Sequence, residues 1–113
     1  MRHVTPRELK QRLEQSDAAP ILLDVREPWE YAIAHIPGSQ LVPMRDVPTA
    51  MRELDLAQEI VVICHHGIRS FQVCHFLERG GFQRLANLTE DGYWVWDSLW
   101  TWPVYPEQWF FKA

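Results

Sequence analysis

Ile60-Val61-Val62-Ile63-Cys64-His65-His66-Gly67-Ile68-Arg69-Ser70 decides the fold, because four consecutive apolar residues run straight into a cysteine and a glycine-containing turn. An uninterrupted Ile/Val run suits a strand covered on both faces, the usual state in a parallel sheet. In open sheets of that kind ligands bind beyond the carboxyl ends of the strands, which is where Cys64 falls. Behind the turn, Arg69 to Arg79 carries Val73, Cys74 and Leu77 at the spacing of one helical face. The first turn of such a helix aims unpaired backbone N–H groups back toward the cysteine. A helix N-terminus and a concave run of amides both favour negative charge, so they suit a reactive thiolate and any anion attached to its sulfur. Gly67 fits a loop whose inward-folded amides need a positive φ or a close backbone approach. A cysteine at a strand end is also compatible with ordinary core packing. The combination with Gly67, Arg69 and the helix start is what points to chemistry.

Working outward from this stretch, Thr5-Pro6-Arg7-Glu8 supplies an N-cap, a proline at the first helical position and a glutamate that completes a capping box. A helix from Pro6 to about Gln15 follows, burying Leu9 and Leu13. Ile21 to Val25 reads as a buried strand that ends in charge at Arg26 and Glu27. Pro28 starts a short helical turn carrying Trp29 and Tyr31, and Pro37-Gly38 breaks the chain again. Leu41 and Val42 suggest a short strand, and Val47, Met51 and Leu54 recur at helical spacing behind Pro48. Glu59 to Ile63 is the central strand, Gly80-Gly81 caps the helix after it, and Leu85 to Leu88 is a weaker strand. Strands alternating with helical patterns predict an α/β fold, an open parallel sheet with helices on both faces.

At 113 residues the chain reads as one domain, 1–113, with an aromatic extension from about residue 97. A net charge of −4 argues against general nucleic-acid binding, which leaves a basic footprint. Locally, Arg26, Arg45, Arg69, His65 and His66 converge on one expected mouth. No apolar stretch reaches membrane-spanning length and the N-terminus lacks the apolar core of a signal peptide, so the expected location is cytoplasmic with no membrane partner. Two cysteines make neither a disulfide framework nor a zinc ligand set. Cys74 falls on the apolar helix face and reads as core packing. Adjacent His65 and His66 point in different directions from a short turn and have no second ligand cluster, so no metal site is expected. Five of the six tryptophans lie between Trp94 and Trp109, beside Tyr93, Tyr105, Phe110 and Phe111. Such density reads either as core or a flap packed on it, or as an interaction surface for a protein partner or a wall beside the cysteine.

The residues Cys-x-x-Gly-x-Arg-Ser from Cys64 to Ser70 resemble the active-site loop of the rhodanese-like sulfurtransferases. Three further segments agree in order and spacing: Leu22 through Asp24, Arg26 and Glu30 to Tyr31; His35-Ile36-Pro37-Gly38-Ser39; and Gly81-Phe82 through Asn87-Leu88 to Gly92 and Trp96. The resemblance runs from about Thr5 to Trp96. It departs where the family's usual double glycine before the last helix is Glu90-Asp91-Gly92, and in the aromatic tail. It implies a rhodanese-like fold and a cofactor-free double displacement. In that scheme Cys64 takes sulfur from thiosulfate or a persulfide and passes it to a thiophilic acceptor, cyanide or a small-molecule or protein thiol. His65 and His66 stand where some thiosulfate-using relatives carry more strongly cationic residues, which implies a weaker response to thiosulfate.

On this reading Cys64 is the nucleophile and His65, His66, Gly67, Ile68, Arg69 and Ser70 form the substrate-binding loop. Asp24, Arg26, Glu30 and His35 support it: Asp24 accepts backbone N–H bonds at the turn, Arg26 pairs with Glu30 across the short helix, and His35 makes a structural hydrogen bond. The other role open to Arg26 is that of a substrate-binding cation. Arg69 has two roles open to it, stabilising the thiolate or an oxyanion donor, or pairing with Asp24 or another carboxylate to fix the loop. Two rivals to sulfur transfer remain. A phosphatase or arsenate reductase also uses a cysteine and an arginine in an amide-lined loop, but rhodanese-fold phosphatases resemble Cys-x-x-x-x-x-Arg, one residue longer than the loop here. A non-catalytic binding module using the aromatic C-terminus is the other, and retention of Cys64 counts against it.

Overall fold

A computed structural model describes residues 1–15, 18–33, 35–65 and 67–89. Five strands, β1 (Arg2–Val4), β2 (Ile21–Asp24), β3 (Gln40–Leu41), β4 (Ile60–Ile63) and β5 (Leu85–Leu88), form one sheet in the order β1-β5-β4-β2-β3. Every neighbouring pair is parallel. Between them run α1 (Pro6–Gln15), α2 (Pro28–Ile33), α3 (Val47–Ala50) and α4 (Ile68–Arg79).

β4 lies at the centre because all four of its side chains are apolar and all four are buried. Alternation along the strands divides them between two cores. Val61 and Ile63 of β4, Leu22 of β2, and Ala86 and Leu88 of β5 pack with Leu9 of α1 on one face. Ile60 and Val62 of β4, Leu23 of β2 and Leu85 of β5 pack with Val47 of α3 and Val73, Cys74 and Leu77 of α4 on the other. The expected parallel sheet with helices on both faces is therefore what these apolar runs build.

The capping box at α1 forms as its sequence predicts. Thr5 N–H donates to Glu8 Oε1 at 3.0 Å and Glu8 N–H to Thr5 Oγ1 at 3.2 Å. Two elements differ from expectation. β1 was not foreseen, because Arg2-His3-Val4 is short and mostly polar; it is an edge strand whose pairing with Ala86, Asn87 and Leu88 is set by the rest of the sheet. The helix expected over Val47 to Leu54 breaks into a four-residue helix flanked by 3₁₀ turns at Met44–Asp46 and Met51–Glu53. Pro48 has no N–H to give and is tolerated only in a first turn, so a longer regular helix does not form around it.

Central burial has a direct consequence for stability. Ile63 is fully enclosed, whereas Ile33 on α2 is 64% exposed. Ile63→Ala is expected to lower unfolding free energy by about 2–5 kcal/mol, the range for deleting a buried aliphatic side chain. Ile33→Ala should stay within about 0.5 kcal/mol of the parent in the same urea titration.

Candidate functional site

Strand β4 ends at Ile63 and delivers Cys64 to the carboxyl edge of the sheet, between β2 and β5. The chain then turns through Gly67, whose φ of +82° is the left-handed conformation that disfavours a Cβ. Space is not the reason for the glycine, since a Cβ there would meet Leu88 O at 3.6 Å and Thr89 at 3.7 Å, ordinary contacts. Gly67 is also the N-cap of α4 and offers no side chain to its first turn.

The sulfur of Cys64 takes that place. Gly67 N–H donates to Sγ at 3.0 Å and Ser70 N–H, from the first turn of α4, donates at 3.3 Å. Ser70 Oγ lies 3.2 Å from the same sulfur. Cys64 and Ser70 are both buried, so these donors act on the sulfur with little competition from water. Of the loop expected to surround Cys64, then, Gly67 and Ser70 reach the sulfur directly. Ile68 is 68% exposed and forms part of the outer surface. His65 stands half-buried beside the cysteine, and His66 lies outside the described residues.

The supporting residues are arranged differently from the expected pairing of Arg26 with Glu30. Arg26 turns back on Asp24: Nε lies 2.9 Å from Oδ1 and Nη2 2.8 Å from Oδ2, with Arg26 N–H donating to Oδ1 at 3.1 Å. Two residues apart on extended chain, both side chains project to one side of the strand end, and the pair is buried together. Glu30 is instead held by Arg69, Nη1 to Oε1 at 2.7 Å and Nη2 to Oε2 at 2.9 Å. This two-point pair ties the first turn of α4 to α2 and gives Arg69 a carboxylate partner other than Asp24. The Arg69 guanidinium, with help from Glu27 N–H, draws the Glu30 carboxyl down to about 2. In return Glu30 raises Arg69 above its ordinary value.

His35 Nδ1 meets Tyr31 O at 2.8 Å, and because a carbonyl only accepts, that nitrogen carries the proton. Its ring stacks on Tyr31 at 3.8 Å between centroids, and Tyr31 Oη donates to Ser39 O at 2.8 Å, which closes the His35 to Ser39 turn. Cys74 is packed in the core, where burial pushes its thiol up to about 12. Arg45 meets Glu27 at 2.8 Å rather than standing alone at the mouth. Among the described residues no three His, Cys, Asp or Glu side chains are placed to hold a metal ion, and no helix is long and apolar enough to cross a membrane. Trp96 and the aromatic tail lie outside the described residues.

One residue of the site appears in the sequence only as part of the segments that carry the resemblance, with no role assigned to it. Asn87 of β5 is 1% exposed, accepts a hydrogen bond from Ser70 Oγ, and donates Nδ2–H to Gly67 O at 3.2 Å. The available signal was an amide in a four-residue strand whose other members, Leu85, Ala86 and Leu88, are all apolar.

Comparison with known proteins gives the family and the fold. The model of the rhodanese-like domain family matches residues 5–99. A putative sulfurtransferase of Bacillus subtilis, YtwF, is 35% identical over 98 residues, covering 87% of this chain and 92% of that protein. A sulfurtransferase of Allochromatium vinosum is 36% identical over 80 residues, 71% of this chain and 74% of its own length. The crystal structure of a rhodanese-like domain protein from Staphylococcus aureus superposes with a TM-score of 0.73 at 30% identity, covering 79% of this chain and 85% of that one.

The Glu30 to Arg69 pair sets an acid limit. A carboxyl lowered from 4.5 to about 2 in the folded chain contributes stability that is complete above pH 4.5 and is lost as pH falls toward about 2. Glu30→Gln should therefore be less stable at neutral pH and show a flatter stability profile between those two values, as measured by denaturant titration at a series of pH. An unchanged acid profile in that variant would show that the pair does not anchor α4 to α2.

Proposed function

Since the chain belongs to the rhodanese-like domain family, we propose that it is a sulfurtransferase that carries sulfane sulfur as a persulfide on Cys64. The observation that carries this reading is the convergence of Gly67 N–H and Ser70 N–H on Sγ at the end of β4. A sulfur anion, as thiolate or as persulfide, is the species that such donors stabilise. In the first step the Cys64 thiolate attacks the outer sulfur of thiosulfate. A sulfur–sulfur bond to Cys64 forms, the bond to the sulfonate breaks, and sulfite leaves with the electron pair. In the second step a nucleophile such as cyanide or a thiolate attacks the outer sulfur of the persulfide, and the electron pair returns to Cys64. Donor and acceptor balance each other, so the cycle needs no cofactor and no oxidant.

The loop favours sulfur over phosphate as the group transferred. Four residues separate Cys64 from Arg69. Arg69 is engaged at both terminal nitrogens by Glu30, which removes the in-loop cation that a tetrahedral oxyanion with several negative oxygens would require. Arg26 is likewise committed to Asp24. Among the described residues, the donors that reach the sulfur are thus the neutral amides of Gly67 and Ser70 and the Ser70 hydroxyl beside them.

Incubation of the protein with thiosulfate, followed by intact-mass analysis, should show the gain of one sulfur atom. Peptide mapping should place it on Cys64. Cys64→Ser should abolish the adduct, whereas Cys74→Ser should retain it, and Cys64-dependent release of phosphate from aryl phosphates without any sulfur adduct would overturn the proposal.

The glycine at the turn gives a second test. Gly67→Ala places a Cβ on a φ of +82°, a strain of about 1 kcal/mol. Relief of that strain would shift the Gly67 amide off the sulfur. Sulfur transfer should fall by more than the loss of melting temperature accounts for, and full turnover in Gly67→Ala would show that the loop tolerates an ordinary φ.

A further inference from the structure

We propose that Asn87 is a positioning residue that sets which way the Ser70 hydroxyl points relative to the Cys64 sulfur. The inference deepens the sulfur-transfer reading and rests on it for its catalytic consequence. It starts from hydrogen-bond accounting. Asn87 Nδ2 lies 3.2 Å from Gly67 O and 3.5 Å from His3 Nδ1. A backbone carbonyl only accepts, so the amino group must face Gly67 and the amide oxygen must face Ser70. An amide oxygen also only accepts, and therefore the single proton of the Ser70 hydroxyl is given to Asn87 Oδ1.

The direction of the remaining contact follows. With its proton committed, Ser70 Oγ offers only lone pairs to Cys64 Sγ at 3.2 Å, so in the neutral protein the thiol donates to the hydroxyl. The chain of donation runs from the Cys64 thiol to the Ser70 hydroxyl to Asn87. Cys64, Ser70 and Asn87 are 2%, 0% and 1% exposed, which leaves solvent little opportunity to substitute for any link. When Cys64 ionises, its donor proton is gone and the oxygen lone pairs face a negative sulfur. Rotation of the hydroxyl proton from Asn87 to Sγ resolves this conflict. It adds a donor to Gly67 N–H and Ser70 N–H. Asn87 thus holds the hydroxyl in its resting direction and releases it as the sulfur becomes an anion, while its amino group keeps the Gly67 carbonyl fixed.

The test reads the thiol itself. In Cys74→Ser protein Cys64 is the remaining thiol, and its S–H stretch in the Raman spectrum should lie at the lowered frequency of a hydrogen-bond donor. Asn87→Ala should move that band upward and broaden it, because the hydroxyl is no longer held with its lone pairs toward sulfur. In the same variant Gly67 O loses its donor and the Gly67 amide is no longer held on the sulfur, so kcat for sulfur transfer should fall about tenfold with KM for the donor nearly unchanged. Asn87→Asp in its protonated form keeps the shape, an acceptor for Ser70 and a donor for Gly67 O, so at acid pH it should leave the band in place and guards against a variant that fails to fold. A band unmoved in folded Asn87→Ala, or one moved to the free S–H position in Asn87→Asp, would overturn the proposal even if activity or melting temperature fell. Should the parent transfer no sulfur while Asn87→Ala still moves the band, the functional reading fails and the hydroxyl assignment stands.

Discussion

Two backbone N–H groups that have no partner within their own helix end on one sulfur atom, and much of the structure serves to bring that atom to them. The first turn of any helix leaves four such donors, and here the N-cap is a glycine with nothing to offer them. Cys64 satisfies Ser70 N–H from outside the helix and Gly67 N–H from within the turn. This requires a strand whose last residue is fixed in depth and direction. Complete burial of β4 between β2 and β5 provides it, because a strand enclosed on both faces and both edges cannot slide without exposing its apolar side chains.

The polar groups around the sulfur form two kinds of support with different energetic character. Asp24 with Arg26 and Ser70 with Asn87 are buried, so loss of one partner strands the other without water. Glu30 with Arg69 is more open, with the arginine side chain 32% exposed, and its value lies in geometry: a two-point contact between α2 and the first turn of α4. At the opposite end of the sheet Glu59 pairs with Arg2, Arg12 and Arg84, of which Arg2 and Arg84 are well exposed. Exposed pairs of that kind contribute little each. The costly polar contacts are concentrated at the end where Cys64 lies.

What could be read from the sequence was whatever depends on neighbours along the chain. The apolar runs at Ile21 and Ile60, the Thr5 to Glu8 capping box and the turn at Gly67 are local patterns, and each forms where its residues predicted. Residues whose partners come from another element were harder. Arg26 was matched with Glu30 because they are four apart at a short helix, yet Asp24 is closer on the strand and Arg69, thirty-nine residues away, takes the glutamate. Spacing alone cannot rank a local partner against one that only the folded sheet supplies. Asn87 shows the same limit: its partners Gly67 and Ser70 are 20 and 17 residues distant, and they meet it only because β5 lies beside β4. β1 was invisible for a related reason, since its three residues form a strand by pairing with β5 rather than by pattern.

The two cysteines show how differently two buried thiols can be surrounded. Cys64 and Cys74 are ten positions apart in sequence, both belong to the same face of the core, and both are almost fully enclosed. Around Cys74 the enclosure is apolar, with a long contact of 3.7 Å from its thiol to Ala86 O, and desolvation drives the thiol up to about 12. A group in that setting stays protonated and inert. Around Cys64 the same degree of enclosure contains two amide donors and a hydroxyl that can present either a lone pair or a proton. Donors fixed in a poorly hydrated site make stronger hydrogen bonds than water-exposed ones would. Identical side chains in similarly buried positions are thus separated by where the helix begins. Cys74 lies within α4 behind the turn that binds Cys64, where the backbone N–H groups are already spent on helix bonds.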